Sequence, residues 1–339
     1  MEYGIDQWFD DYIKLFETAK PDAVIVATPT PTHATIAISA LQRGIHVLCE
    51  KPMARTFGDC QAMVAASKKS GALLLVMPFE GNAQTRAAID YLNEPTLGVF
   101  VGAQSEMVVP GMSRTDWYYD ANVAGPAFGE MMVYPISALV NLLGPARRVT
   151  GFINTLIPHR ITGTGDRIDF LPPPRDPAKG KTVKPTAADN ATLILEWANG
   201  QHGIARGIWG TSFLDNATTI YGRHGTLWMS NKGFKRPEVV VHSPERPIDG
   251  ATLVTGSYEN CYRISIPKHT HEGLIDHFVD CVHRKAVPSC GAEQALHVHE
   301  ILYKGAEASR TGKTQELATT FASWHKLDPK FLDTRSRPV

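Results

Sequence analysis

Three short apolar runs punctuate the first 78 residues of the chain. They cover residues 23–27, 45–49 and 72–77, and each is rich in valine, isoleucine, leucine or alanine. Continuous apolar runs of this length are typical of strands that are buried on both faces of a parallel sheet. Helical patterns precede and separate the runs, which predicts alternating helices and strands with two right-handed crossovers.

Local signals place the boundaries of these helices. Residues 6–19 carry an apolar stripe with helical spacing and predict the first helix. The second helix is predicted to end at Gly44, and the third to run from a capping box at Thr56 to Gly71.

Beyond residue 80 the pattern changes, and turn signals between alternating segments become frequent. Asn199-Gly200 and Arg223-His224-Gly225 mark two hairpin turns. Helices are predicted within 120–143 and over 272–284 and 293–311, and residues 158–185, rich in proline and glycine, are predicted to be a long loop. The predicted strands are 147–156, 192–197, 203–209, 218–221, 226–230 and 238–242.

These patterns predict an α/β fold in two parts. Residues 1–78 would form an incomplete doubly wound, Rossmann-type parallel sheet, and residues 79–339 an α/β domain with an open, mostly antiparallel sheet. A complete sheet of this kind begins with a strand and a G-x-G-x-x-G turn that approaches a diphosphate. The only G-x-G here, Gly163-Thr164-Gly165, has no third glycine.

The run 23–27 would then be the fourth strand of the usual order, beside a first strand that the sequence does not supply. Its outer edge would carry unpaired backbone groups. Three explanations are open: the gene product begins upstream, another segment or chain covers the edge, or dinucleotide binding has been lost. We favour the first as an expectation, because the rest of the site looks intact.

Composition narrows the class of protein. Lys plus Arg and Asp plus Glu both number 34, so the basic excess of a nucleic-acid-binding or membrane-surface protein is absent. The apolar runs are too short to span a bilayer, and no signal peptide opens the sequence. Five cysteines without C-x-x-C spacing predict reduced thiols in a cytoplasmic protein.

The stretch His46-Val47-Leu48-Cys49-Glu50-Lys51-Pro52 concentrates the candidate chemistry. An apolar run ends abruptly in an acid, an amine and a proline, and ligands bind at the carboxyl ends of strands in open α/β sheets. An amine placed there suits proton transfer to or from a hydroxyl group while another group moves the electrons. Lys51 is therefore the first candidate catalytic residue.

The same residues carry a family resemblance. The stretch from Asp22 to Pro29, then His33, then Gly44 to Pro52 resembles the glucose–fructose oxidoreductase, inositol dehydrogenase and rhizopine-catabolism (Gfo/Idh/MocA) family. The resemblance implies an oxidoreductase that uses NAD or NADP. It also implies a cofactor site formed by Thr28, Pro29, His33, Glu50 and Lys51, with Lys51 as the catalytic lysine.

The family's second motif has an aspartate and, four positions later, a histidine or tyrosine. Residues 124–134 take its place here, with Glu130 at the aspartate position and Tyr134 at the proton-carrier position. The resemblance thus implies that Tyr134 is catalytic and that Glu130 binds substrate. Glutamate in place of aspartate, and fewer glycines before it, depart from the family pattern. Both differences affect the sugar contacts that the resemblance implies.

Residues 114–120 mix aromatic and charged side chains, as sugar sites do, and Arg114, Trp117 and Tyr118 are candidate substrate-binding residues. A loop that only packs its aromatic rings is the alternative. The pairs His269/His271 and His297/His299 have i,i+2 spacing, which does not align two ligands on a helix, so we expect no metal site.

The predicted function is oxidation of a secondary hydroxyl group, or reduction of the matching ketone, in a sugar, sugar derivative or cyclitol. Two alternatives are open: an NAD-dependent glycoside-cleaving enzyme of the same fold, and a cofactor-free sugar-binding or scaffold protein. No nucleic-acid or membrane partner is expected. By the resemblance, the protein would be a homo-oligomer, a dimer or tetramer, through its antiparallel sheet.

Overall fold

The computed structural model describes residues 7–78, 81–94, 97–110, 116–124, 129–162, 181–211, 214–232, 236–242, 252–256, 259–264 and 273–332. Its first elements alternate as predicted. They are α1 Tyr12–Ala19, β1 Ala23–Val26, α2 Thr30–Gln42, β2 His46–Cys49, α3 Phe57–Ser70 and β3 Leu74–Val76. Asp11 caps α1, its carboxylate accepting from the amide of Ile13 at 2.7 Å, which explains why this helix begins later than predicted.

The three strands form a parallel sheet in the order β1-β2-β3, which confirms the predicted α/β fold. In register, Ile25 lies beside Leu48, and Leu48 beside Leu75. Leu48 and Leu75 are fully buried, whereas Ile25 on the outer strand is 52% exposed. Within the described residues, β1 pairs only with β2, so its outer edge is open.

The rest of the chain forms a wide sheet with helices against it. The helices are α4 Ala83–Leu92, α5 Ala121–Ala124, α6 Gly129–Leu143, α7 Leu274–Val282, α8 Ala292–Thr311 and α9 Pro329–Leu332. A 3₁₀ turn covers Asp116–Tyr119. The strands are β4 Phe100–Pro110, β5 Arg148–Asn154, β6 Arg160–Thr162, β7 Lys181–Val183, β8 Asn190–Glu196, β9 His202–Thr211, β10 Asp215–Gly222, β11 Thr226–Lys232, β12 Arg236–His242, β13 Thr252–Gly256, β14 Glu259–Arg263 and β15 Gln315–Glu316.

Ten of these strands make one sheet in the order β13-β14-β12-β11-β10-β4-β9-β8-β5-β15. Both predicted hairpins are confirmed, as β8–β9 and β10–β11, and the central β4–β9 pair is parallel. The sequence patterns did not predict β4 or α4. The predicted loop 158–185 is wrong at its two ends, because β6 and β7 pair there; residues 163–180 lie outside the described part.

The main core lies between one face of this sheet and α6. Met132, Val133, Ile136, Leu139 and Val140 on α6 have no exposed side-chain surface. The opposite face carries exposed apolar side chains on neighbouring strands: Phe152, Ile194, Ile204 and Tyr221. Among the residues that the structure describes, the sheet is covered on one face, as its alternating strands predicted.

The two last long helices return to the small parallel sheet. Phe278 of α7 packs on Leu48 and Leu75, and Ala292 and Ala295 of α8 join the core on the other face. The amide of Val76 donates to the carbonyl of Cys290 at 3.0 Å, so the edge of β3 is covered. The domain boundary near residue 78 stays a prediction, since α7 and α8 complete the first core.

None of the helices in the described ranges has the length and apolar character needed to cross a membrane. All five cysteines are free thiols.

Candidate active site

The loop that follows β2 carries the central side chain of the site. The amide of Glu50 donates to the carbonyl of Val26 at 2.9 Å, which ties the ends of β1 and β2 together. The amide of Lys51 donates to the Glu50 carboxylate at 3.0 Å, and the peptide bond between Lys51 and Pro52 is cis. Lys51 therefore leaves the sheet at its carboxyl edge, where the sequence predicted it.

The ammonium group of Lys51 contacts helix α6. Its Nζ lies 2.5 Å from Oε2 of Glu130 and 3.0 Å from the carbonyl oxygen of the same residue. The ring centroid of Tyr134 lies 5.3 Å from Nζ, within range of a cation–π contact. The side chains of Lys51 and Glu130 are only 14% and 12% exposed, so this ion pair is partly withdrawn from water.

The charge balance of this pair favours the ammonium form. Burial by itself would lower the pKa of Lys51, but Coulombic interactions with Glu130, and then with Tyr134 and Tyr118, outweigh burial and raise the pKa. Lys51 is therefore protonated in this structure. To act as a base it must first lose a proton or lose the influence of Glu130.

Helix α2 supplies the other partner of Glu130. The hydroxyl of Thr30 donates to Oε1 of Glu130 at 3.3 Å, so the two carboxylate oxygens bind groups from two different loops of the parallel sheet. Thr28 and Pro29 precede Thr30 and are exposed. Both therefore remain accessible to a ligand above β1.

A cluster of aromatic rings includes Tyr118, which interacts electrostatically with Lys51. Trp117 packs on Tyr118 with ring centroids 5.4 Å apart, and Tyr118 packs edge-on against Trp209 at 5.0 Å. The guanidinium of Arg160 lies 5.2 Å from the ring of Trp209 and is ion-paired with Asp189 at 3.2 Å. Tyr118 is thus packed against Trp209, and its interaction with Lys51 helps to raise the pKa of the ammonium group.

A cavity of about 920 Å³ lies elsewhere, between α1, the start of β1 and β2, and α7. It opens at the amino ends of these strands and is lined in part by Asp22, His46 and Phe278. Ligands of parallel α/β sheets bind at the carboxyl ends instead. The cavity therefore lies at the opposite end of the strands from Lys51.

Residues 1–77 match the family model described as "Oxidoreductase family, NAD-binding Rossmann fold", and residues 85–228 match its C-terminal domain. The chain belongs to the Gfo/Idh/MocA family. The resemblance seen in the sequence around Lys51 is thereby confirmed.

Several Gfo/Idh/MocA relatives act on sugars. The chain is 25% identical over 233 residues to levoglucosan dehydrogenase of Pseudarthrobacter phenanthrenivorans, covering 66% of this chain and 59% of that protein. It is 30% identical over 134 residues to a dTDP-3,4-didehydro-2,6-dideoxy-alpha-D-glucose 3-reductase of Streptomyces antibioticus, covering 39% and 40% of the two chains. The matches thus span less than two thirds of these relatives.

A solved structure of levoglucosan dehydrogenase in its apo form superposes with a TM-score of 0.76 and 19% identity. It covers 94% of this chain and 85% of that chain. At this identity the likeness shows the fold, which is that of the Gfo/Idh/MocA family.

The polar groups at the sheet edge, both donors and acceptors, fit the nicotinamide half of the family's cofactor. The Thr28 hydroxyl, the Glu50 carboxylate and the Lys51 ammonium lie at the carboxyl ends of β1 and β2, where ribose hydroxyls and a carboxamide could bind. No G-x-G-x-x-G turn for a diphosphate occurs in the 339 residues.

The structure brings most of the predicted site residues together. Lys51, Glu130 and Tyr134 are in contact, Tyr118 is close to Lys51, and Trp117 packs on Tyr118. His33 is buried beneath the loop rather than exposed in the cleft. Arg114 lies outside the described residues.

Other residues at the site were not predicted. Thr30 could have been found, because it begins a helix one strand end away from Lys51. Trp209, Arg160 and Asp189 gave no signal, since only the pairing of β9 with β4 and β8 brings them beside the 3₁₀ turn. His299 was seen in the sequence only as half of an unsuitable metal pair.

Proposed function

We propose that this chain takes part in an NAD(P)-dependent oxidoreduction of a secondary hydroxyl group or the matching ketone in a sugar, sugar derivative or cyclitol. The observation that carries the proposal is the Lys51 ammonium, held between the Glu130 carboxylate and the Tyr134 ring at the carboxyl end of β2. The sugar dehydrogenases and reductases among its relatives support the same chemistry.

In this proposal the nicotinamide supplies or accepts the hydride when it is bound. Lys51 carries the proton: as an ammonium it donates to the oxygen of a ketone, and in the reverse direction it accepts the hydroxyl proton. Glu130 and Tyr134 lie within reach to orient Lys51 and to relay that proton. The raised pKa of Lys51 favours reduction unless bound ligand weakens its contact with Glu130.

The remaining predicted residues take binding roles. Thr28, Pro29, Glu50 and Lys51 would border the nicotinamide and its ribose, and His33, which is buried, would contribute indirectly. Glu130, Trp117 and Tyr118 would border the substrate, together with Arg114. Flat aromatic faces beside hydrogen-bonding groups suit a sugar ring.

We also infer that the protein is cytoplasmic and forms a homo-oligomer through the open sheet. The apolar side chains of Phe152, Ile194 and Ile204 lie on the face opposite to α6, as an interface between copies requires. Light scattering of the purified chain tests this, and a monomer at micromolar concentration would contradict it.

The activity is tested by incubating the full chain with NAD⁺ or NADP⁺ and a panel of sugars and cyclitols, with formation of the reduced nicotinamide as the readout. Lys51→Met should lower turnover by about 10²–10⁴-fold without loss of folding. Lys68→Met is the matched control, because Lys68 is an exposed lysine paired with Glu293. Equal turnover of wild type and Lys51→Met would contradict the proposal.

Two other results would select the alternatives. Release of an aglycone without net reduced nicotinamide would indicate glycoside cleavage. Sugar binding by calorimetry with no binding of either nicotinamide cofactor would indicate a binding protein.

A further inference from the structure

Two buried histidines flank the loop that carries Lys51. His33 of α2 is 1% exposed, and its ring nitrogens face two backbone carbonyl oxygens. Nδ1 lies 2.9 Å from the carbonyl oxygen of Pro52, and Nε2 lies 2.7 Å from that of Thr28. One ring therefore joins the end of β1 to the residue that directly follows Lys51.

His299 reaches the same loop from α8. The amide of Met53 donates to Nε2 of His299 at 2.8 Å, and Nδ1 of His299 donates to the carbonyl of Ala295 at 2.8 Å. This side chain is also 1% exposed. Consecutive residues of the loop, Pro52 and Met53, are thus held by histidines from two separate helices.

Helix α2 contacts both the loop that carries Lys51 and the side chain of Glu130. Thr30 and His33 are three residues apart and lie on one face of the helix. Thr30 donates to Glu130, while His33 contacts Pro52. One helix face therefore fixes both the partner of the Lys51 ammonium and the backbone from which Lys51 extends.

We propose that His33 and His299 are positioning residues, which fix the backbone of Pro52 and Met53 and thereby set where the Lys51 ammonium lies relative to Glu130 and the substrate. The part that concerns turnover rests on the proposed function. Met53 and Ala54 are buried in the core beside the parallel sheet, and the histidine contacts add directional bonds that fix the backbone from which Lys51 extends. A displacement of about 1 Å at a reacting group can cost on the order of 10²-fold in rate.

The hydrogen bonds to the loop require particular proton positions on the two rings. A carbonyl oxygen only accepts, so the contact of His33 with Pro52 is a hydrogen bond when Nδ1 of His33 carries a proton. His299 accepts from an amide at Nε2 and donates at Nδ1, so it carries one proton, on Nδ1. Both proton positions can be measured.

Nitrogen NMR of the full chain labelled on its histidines reads these states without any activity, with His33→Gln and His299→Gln identifying the signals. We expect a proton on Nδ1 of His33, where the carbonyl of Pro52 accepts it, and a proton on Nδ1 alone for His299. A His33 ring with a bare Nδ1 would overturn the proposal, because the contact with Pro52 would then be no hydrogen bond.

A second test reads the position of Lys51 by chemical acetylation and mass spectrometry. His33→Gln keeps a donor near Thr28 but not near Pro52, so Lys51 should be released from its buried pair and acetylated on the order of tenfold faster. His33→Asn, whose amide can replace Nδ1, should restore most of the protection. Lys68 is the internal reference, and unchanged labelling of Lys51 in His33→Gln would overturn the proposal.

Turnover supplies the third test. His299→Ala should lower kcat by about 10-fold to 100-fold with KM changed less than about threefold, and His299→Gln, which keeps an acceptor, should recover most of kcat. His297→Ala is the control, since His297 lies on the same helix and accepts from the amide of Ala146 instead of the loop. Equal effects of the two alanine variants on kcat would overturn the proposal.

An inactive wild-type chain would refute the proposed function but leave the positioning testable. The nitrogen signals and the acetylation of Lys51 decide it without turnover. Conversely, if the enzyme is active but neither the nitrogen signals nor the acetylation of Lys51 agrees with the expectation, the positioning role alone is refuted.

Discussion

Lys51 and Glu130 meet at the site from two regions that are built in different ways. Lys51 extends from a loop of a three-stranded sheet, and that loop is held by hydrogen bonds to its backbone. Glu130 extends from a helix whose next residues, Met132, Val133 and Ile136, are fully buried in the main core. The helix is fixed by apolar contacts, whereas the loop combines the burial of Met53 and Ala54 with polar contacts from two histidines.

Helix α8 connects the two regions through two histidines, each of which contacts a different region. His299 accepts from Met53 in the loop beside Lys51, and His297 accepts from Ala146, just after α6. Burial lowers the pKa of both rings to about 4. Both act as neutral acceptors, so protonation would break the bond that each makes.

The largest effect that we expect is therefore on stability in acid. The folded protein keeps both rings neutral to about pH 4, whereas the unfolded chain binds protons below about pH 6.5. Their contribution is full above about pH 6.5 and is lost as the pH falls toward 4, by about 3 kcal/mol for each histidine. Urea unfolding at several pH values between 7 and 4 measures this loss.

Single variants should show how much of this pH dependence of stability comes from each histidine. His299→Gln and His297→Gln each keep an acceptor but do not titrate, so each should remove about half of the pH dependence. His299→Gln should in addition protect the Lys51 loop from acid, as read by acetylation of Lys51. If the unfolding free energies of the wild type and of the variant carrying both His297→Gln and His299→Gln depend on pH in parallel, this role of α8 is refuted.

The ion pair at the junction gives the next prediction. Glu130→Gln removes the main charge that raises the pKa of Lys51, so burial should dominate and lower that pKa. In alcohol oxidation, the limb of the pH–rate profile that reports Lys51 should move to lower pH, while loss of the carboxylate lowers kcat by roughly tenfold. A limb that stays in place or moves to higher pH would contradict the assignment.

Glu196→Gln is the matched control for that experiment. Glu196 is ion-paired with Arg148 at 2.7 Å on the large sheet, away from Lys51. Its loss should leave the pH–rate profile unchanged. A shift of similar size in both variants would indicate a general electrostatic effect.

The two regions also differ in how well the sequence predicted them. In the parallel sheet, continuous apolar runs and glycine stops such as Gly71 were sufficient, because both faces of its central strand are buried and local signals agree with the fold. In the large sheet, Asn199-Gly200 marked its hairpin correctly. Strand β4 was missed because its partner β9 is about one hundred residues away and no local turn indicates the pairing.

The candidate site divides in the same way. Lys51, Glu130 and Tyr134 lie in motifs that are continuous in sequence, and the structure brings them into contact. Two of the groups that support them, His299 and Trp209, reach the site only through tertiary packing. No spacing along the chain encodes such contacts, so residues that act through another residue are the hardest to predict.

The smallest effect that we expect tests the open edge of β1. Ile25→Thr replaces a side chain that is half exposed, so the free energy of unfolding should change by less than about 0.5 kcal/mol. Val47→Thr is the buried counterpart on β2 and should cost about 1–3 kcal/mol, because its hydroxyl would lie in an apolar core. Denaturant unfolding of both variants measures the difference.

If Ile25→Thr proves as costly as Val47→Thr, another segment or a second copy must bury the outer face of β1 in solution. The contrast between the two regions would then lie in what covers each sheet rather than in how each is built.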